Sequence, residues 1–282
     1  MKQILNTKPS SQVRQTKTNL AKKMGISRGM LYYKHKIPIT DEALKEKIGK
    51  VLRDNPSYGH KRIALELGLN RKRILRVMKK FHLMPAKRRR KKFVKVDDLG
   101  RPEAKYINEI EKFCPIRPNI VWAGDFTHIV FQNTWVYLAT VMDIYTREII
   151  GWHMSTNHAK DLVIEAFLDA VEKRTTVPIY FHSDQGSEYE SDEYLKLIEN
   201  NGIKVSMSRK SHPWENGYQE SFYSGFKLDL GPTNHYQHLG ELIEAISQTL
   251  HYYNNRRIHT RLKTAPVKFR QDREYLFKEM GT

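Results

Sequence analysis

Cysteine is almost absent: the 282 residues contain one, Cys114. A single thiol closes no disulfide within the chain and offers no Cys-x-x-Cys pair to a zinc ion. Cys114 is read as a small, half-buried hydrophobe. Long apolar runs are also missing. None approaches the ~18–20 residues of a bilayer span, and the opening stretch MKQILNTKPSSQ lacks the apolar segment of a secretory leader. No membrane partner is expected, and the reducing cytosol is the expected compartment. Acidic residues are scarce in the first third. Residues 1–95 hold 28 Lys and Arg against 5 Asp and Glu, a net of +23, whereas residues 96–282 hold 21 against 26, a net of −5. An excess that only kept the chain soluble would not be segregated in this way. A concentrated cation calls for a polyanion, because neutralising phosphates releases condensed counterions. Nucleic acid is the expected partner.

With 39% apolar and 28% charged residues, the chain suits a soluble globular protein of about two domains. Residues 1–38 read as a helix-turn-helix. In LAKKMGISRGMLYY, Leu20, Ala21 and Met24 share a helix face, Gly25 suits the tight turn and Ser27 the next N-cap. Arg28, Tyr32, Tyr33 and Lys34 would ride the second helix or its end. Residues 39–86 repeat the idea. Leu44, Ile48, Val51 and Leu52 line one helix. Gly68-Leu69-Asn70 marks a turn, and the last helix packs Ile74, Leu75, Val77, Met78 and Phe81. Around that packed side stand Arg71, Lys72, Arg73, Arg76, Lys79 and Lys80. A lone basic helix face is usually just solvated, but two such units in tandem point to DNA. Residues 87–117 read as a basic linker. Its unbroken run Lys87, Arg88, Arg89, Arg90, Lys91, Lys92 cannot pack a core, and its use is a tether or a track along phosphates.

The pattern then changes to strands. IVWAGDFTHIVF, TWVYLATVMDIY, EIIGWHMS, PIYFHSD and IKVSMS alternate with the helical runs KDLVIEAFLDAVEKRT, SDEYLKLIENNG and residues 215–228. The order β-β-β-α-β-α-β-α describes an α/β domain over residues 118–232, a mixed five-stranded sheet with helices on its faces. Residues 233–282 read as an extension: an amphipathic helix over 237–253, then a polar, basic tail.

Three acidic residues occupy positions that chemistry can use. Asp125 lies in the first strand, Asp184 ends the fourth, and Glu220 rides the last core helix, 35 residues separating it from Asp184. Taken singly, each is ordinary: a strand Asp is commonly paired, and a helical Glu is commonly solvated. Their flanks alter the reading, because Trp122, Phe126 and Ile129 enclose Asp125 and Asp184 follows buried sheet. A buried bare carboxylate is costly unless it is paired or bound to metal. Such a trio can hold two Mg²⁺ ions, which take hard oxygen ligands and keep several waters. Two such ions can cut and join a phosphodiester backbone. Asp125 would be shared, with Asp184 and Glu220 each completing one site. Asp143, the competing strand-end acid, reads as a salt bridge to Arg147. Lys227, two helical turns beyond Glu220, would share its face and grip a phosphate. His182, Gln185, Asn216 and Gln219 are further candidates for lining the site.

These motifs resemble a known family. VWAGDFTHI, YLATVMDIYTREIIGWHMS, HSDQGSEY and SRKSHPWENGYQESFYSGFK are similar to the catalytic subunits of bacterial insertion-sequence transposases of the IS-three family. The likeness extends to NPSYGHKRIALELGLNRKRILRVMKKFHLMPAKRRRKK and to YYNNRRIHTRLKTAPVKF. It implies an RNase H-like core of the retroviral-integrase type, with Asp125, Asp184 and Glu220 as catalytic metal ligands and Lys227 as the basic position after the glutamate. It also implies Mg²⁺ as cofactor, with Mn²⁺ as a substitute. The implied partners are double-stranded DNA at the terminal inverted repeats and at the target, further copies of the chain on that DNA, and an upstream-frame DNA-binding protein. Glu215 stands where the family more usually has an aspartate. A non-catalytic helix-turn-helix repressor derived from a transposase, and a nuclease that cuts without joining, are the competing expectations.

Overall fold

The computed structural model describes residues 17–32, 37–86, 106–111, 114–209 and 212–280. The chain divides into two compact units, residues 1–46 and 47–282. In the first unit, α1 (Lys17–Lys23) ends where Gly25 takes a φ of 65°. Ile26 N–H reaches back to the Ala21 carbonyl at 3.0 Å and closes the turn. A second α-helix is expected next, but Arg28–Tyr32 forms a five-residue 3₁₀ turn. So short a piece, with Gly29 at its second position, cannot sustain α-helical bonding. Tyr33, Lys34 and the cationic run Lys87–Lys92 lie outside the described residues.

The helix α2 (Ile37–Asp54) crosses from one unit into the other. In the second unit it buries Ile48 and Val51, while Leu52 is half-buried. Two helices follow, α3 (His60–Glu66) and α4 (Arg71–Lys80), joined through Gly68 at φ 62°. Asn70 caps α4 as expected, its side-chain oxygen accepting from Lys72 N–H at 2.8 Å. Ile74, Val77 and Met78 pack inward, and Arg71, Arg73 and Arg76 stand exposed.

The core sheet has five strands: β1 (Val121–Phe131), β2 (Thr134–Asp143), β3 (Ile149–Ser155), β4 (Tyr180–Ser183) and β5 (Lys204–Met207). Their order is β3-β2-β1-β4-β5. The pairs β1–β2 and β2–β3 are antiparallel; β4 runs parallel to β1, and β5 to β4. Gln132 and Asn133, both at positive φ, make the tight turn that matches strand twist between β1 and β2. Alternation along β2 sorts the two faces. Ala139 and Val141 join Phe167 and Tyr194 under α5 (Lys160–Glu172) and α6 (Asp192–Asn200). Val136, Leu138 and Met142 face Phe222, Phe226 and Leu250, carried by α7 (Gly217–Leu230) and α8 (Leu239–Asn255).

Three expectations need correction. Residues beyond the long helix are not a bare tail, since Pro266 opens a further helix, α9 (Pro266–Met280). It is tied to the core by Arg270 against Glu148 at 2.9 Å and by Phe269 against Tyr145. Asp143 does not pair with Arg147. Its carboxylate accepts backbone N–H groups from Asn119, Tyr145 and Thr146 at 2.6, 2.9 and 2.9 Å, which organises the β2–β3 turn. At φ 63°, Arg147 turns its side chain away, to lie 3.8 Å from the Tyr218 ring centroid. Cys114 is exposed, because it falls on the irregular approach to β1 rather than within an element.

Candidate active site

Register and parity place the acidic residues. Asp125 pairs with Thr140 across β1–β2, and directly opposed residues share a face. Thr140 continues the Val136, Leu138, Met142 series, so Asp125 faces α7. In the parallel pair, Ala123 sits beside His182. Two residues further along each strand lie Asp125 and Asp184, on the same face, where the pairing has ended and β1 and β4 part. Carboxyl ends of strands at such a parting are where open α/β sheets take their ligands. Asp125 and Asp184 are half-buried, whereas Glu220, in the first turn of α7, is exposed.

The electrostatics link Asp125 to the other two acids. Burial, then the neighbouring carboxylates of Asp184 and Glu220, push the Asp125 carboxyl well above the usual range. Its own neighbour Phe126 opposes this with an N–H bond to Oδ1 at 2.8 Å, and the ammonium of Lys227 opposes it from farther off. Burial raises Asp184 as well, reinforced by Glu188 and Glu190 and opposed by Gly186 N–H at 3.0 Å. Glu220 is raised by desolvation. Among the described residues none of the three is in an ion pair. Nor do any three His, Cys, Asp or Glu side chains there form a group ready to hold a metal ion. Asp125 lies in the repulsive field of the other two carboxylates, and the three do not close into a cage.

A buried polar network beneath them sets the position of α7. Gln219 is fully buried and donates to the Ala123 carbonyl at 2.6 Å. Tyr223, one turn on, donates to the carbonyl of Asp125 itself at 2.6 Å and lies 2.8 Å from the Thr140 hydroxyl. These bonds pin the helix register over β1 and β2, and so fix where Glu220 leaves the helix. Gly124, beside Asp125, is needed for close packing on the other face, since a Cβ there would come within 2.7 Å of the Phe181 ring. Gln219→Leu fills the volume but removes the donor to the Ala123 and Thr140 carbonyls, a loss of about 1–3 kcal/mol. Its thermal midpoint is expected to fall accordingly; an unchanged midpoint would mean that the network does not hold α7.

The other candidates disperse. Lys227 projects along the Glu220 side of α7, its Nζ bonded to the His128 carbonyl at 2.6 Å. His182 is buried against the Ser206 hydroxyl at 2.9 Å, and burial pushes it down to about 4, so it is neutral at pH 7. Gln185 donates to the Ser208 carbonyl at 3.1 Å, and Asn216 is buried just before α7. Arg28 belongs to the first unit, and Arg71, Arg73 and Arg76 to α4 in the second. Glu215 is held by Arg209 at 2.5 Å and by Asn108 at 3.0 Å, outside the trio.

Residues 115–213 match a family model described as the integrase core domain, and residues 201–266 match a second model of the same description. Over 235 residues the chain is 37% identical to the transposase for insertion sequence element IS904 of Lactococcus lactis, covering 78% of this chain and 90% of that protein. It is 31% identical over 138 residues to the transposase InsF for insertion sequence IS3A of Escherichia coli, covering 49% and 48%. The chain belongs to the IS-three family of insertion-sequence transposases. This transposase is also 28% identical over 258 residues to the putative transposase InsK for IS150 of Escherichia coli, covering 87% and 90%. Among solved structures, the HTLV-2 integrase catalytic core domain in complex with magnesium is similar at 20% identity and a TM-score of 0.46, over 55% of this transposase and 98% of that chain. One group escaped the sequence reading: Arg62, Arg147, Arg257, His259 and Arg261 gather around a single cavity. The only signal was the basic string NNRRIHTR after the long helix.

Proposed function

We propose that this transposase binds the terminal inverted repeats of its element and catalyses Mg²⁺-dependent cleavage and strand transfer, with Asp125, Asp184 and Glu220 as the metal-binding carboxylates. The observation that carries the reading is the half-buried Asp125 carboxyl, pushed up by burial and by the carboxylates of Asp184 and Glu220, with no ion-pair partner for any of the three among the described residues. A divalent cation offsets that cost, and the all-oxygen donor set fits Mg²⁺ or Mn²⁺. Two such ions would supply an activated water or 3′-hydroxyl and a neutralised leaving oxygen. The protein's own part is to position. Gln219 and Tyr223 hold Glu220 opposite the two aspartates, and Lys227 on the same side steadies a phosphate entering the site. Arg28, Arg71, Arg73, Arg76 and the run Lys87–Lys92 hold the duplex that carries the scissile end. Synapsis of two ends calls for further copies of the chain, and an upstream-frame protein would add affinity for the repeats.

A purified chain given a labelled duplex of its own terminal repeat and Mg²⁺ is expected to nick the end and join it. Binding without nicking, unrelieved by the upstream-frame protein, would leave a DNA-binding relic instead.

The same carboxylates predict a trade of stability against function. A carboxyl whose folded pKa is raised destabilises the fold once ionised. That cost is absent below about pH 4, the ordinary carboxylate range, and complete above the raised folded value. Asp125→Asn should therefore melt at a higher temperature than the parent at pH 7 in chelator, with the difference disappearing near pH 4. Added Mg²⁺ should raise the parent's midpoint and not the variant's. An Asn variant that melts lower at pH 7 would contradict the repulsion.

A further inference from the structure

The helix α7 has a second functional side. Gly217, Tyr218, Ser221 and Phe222 line a cavity of about 530 Å³, on the flank of the helix turned away from Glu220 and Lys227. Around it converge Arg62 from α3, Arg147 from the β2–β3 turn, and Arg257, His259 and Arg261 from the segment after α8. Arg147 is only 6% exposed, yet among the described residues its Nη1 has no hydrogen-bond partner. His259 Nδ1 is likewise buried and unpartnered among them. Arg257 is neutralised by Asp229 at 2.6 Å. Arg62 donates to the Ile258 carbonyl at 2.9 Å, and neither it nor Arg147 or Arg261 has an ion-pair partner among the described residues. The two acids on the rim, Glu111 and Glu215, both lean on Arg209, at 3.1 and 2.5 Å. Burial, and then the arginines Arg147, Arg62, Arg257 and Arg261, hold the His259 imidazole down to about 4.

Orphaned guanidinium N–H groups cost free energy in a buried site, and like charges crowded together cost more. An anion relieves both. Guanidinium groups match phosphate oxygens in geometry as well as charge. The volume falls within the ~300–1,000 Å³ of small-ligand sites, enough for a phosphate with its sugar. We propose that this cavity seats a backbone phosphate of a DNA strand, gripped by Arg147 and Arg261 with Arg62 beside them. That the phosphate belongs to DNA rests on the transposase reading; that the cavity is built for a phosphate does not. Because Tyr218 of α7 stacks on Arg147, a strand seated there bears on the helix that carries Glu220.

The test follows His259 in the full chain, in chelator so that no strand is cut. Its ring-proton resonances, assigned with His259→Asn, are titrated alone, with a 30-base-pair duplex, and with inorganic phosphate. Bound duplex is expected to raise the His259 pKa by about one to three pH units, as an adjacent opposite charge does, and Arg147→Gln should cancel the rise. Arg261→Gln, at the exposed rim and so tolerated by the fold, should weaken duplex binding severalfold and reduce its salt slope by about one. A rise with inorganic phosphate but none with duplex would assign a small-anion site and overturn the proposal. So would bound duplex that leaves His259 and the Arg261→Gln salt slope unmoved. A chain that binds no duplex in a gel shift overturns the transposase reading as well, an outcome distinct from either.

Discussion

Glu220→Gln is expected to bind terminal-repeat DNA at least as tightly as the parent and to lose strand cleavage by about a thousandfold or more. The substitution is nearly isosteric and removes one negative charge from the side of α7 on which the proposed site lies. Binding should hold or tighten, since Gln219 and Tyr223, which fix the helix, are untouched. Cleavage should fall because a carboxamide is a poor ligand for a hard dication. Losing several kcal/mol of charge stabilisation at the reacting phosphate corresponds to at least three powers of ten in rate. The measurement is a gel shift alongside a nicking assay on the same labelled duplex. Cutting at the parental rate would remove Glu220 from the site, whereas loss of both binding and cutting would indicate a folding defect.

The second large effect concerns the scaffold. Gly151→Ala on β3 should lower stability by about 3 kcal/mol, toward the upper end for an overpacked core. A Cβ at residue 151 would lie 2.6 Å from both the backbone nitrogen and the Cβ of Ala170, and closer still to the Ala166 carbonyl oxygen. These are two backbone atoms and a Cβ fixed to the helix, which no side-chain rotation can clear, so α5 would have to lift from the sheet. For a body of this size the shift in midpoint is roughly 6–12 °C. Gly202, at φ 72° with open space around its α-carbon, makes the contrast. Alanine there strains the backbone without clashing, at a cost of about 1–2 kcal/mol. A thermal melt of the two variants checks the order, and equal losses would contradict the packing argument.

Much of this architecture is legible in sequence, because periodicity reports local geometry. The run VWAGDFTHIVF coincides with β1, and Gln132-Asn133 supplies the left-handed pair that its turn demands. Glu220 and Lys227 share a helix side because seven residues make two turns. The convergence of Asp125 and Asp184 is less visible. It depends on β4 pairing parallel to β1 in one register, which no local pattern encodes. Asp143 shows the opposite failure. A strand-end acid four residues before an arginine looks like an ion pair, but three nearer backbone N–H groups outcompete the guanidinium. The arginine cavity is the least legible feature. Its members come from positions 62, 147 and 257–261, and each alone resembles a solvated surface charge. Only the fold brings them around one cavity.

Direct ligation of a metal by the acidic trio is tested most plainly by Asp125→Cys. Thiolate is a poor ligand for Mg²⁺ but is accepted more readily by softer divalent ions. End cleavage by this variant should be lost in Mg²⁺ and recovered in part when Mn²⁺ replaces it. An Asp125→Cys protein that cuts its terminal repeat as fast as the parent in Mg²⁺ alone would contradict the assignment of Asp125 as a metal ligand, and with it the proposed mechanism.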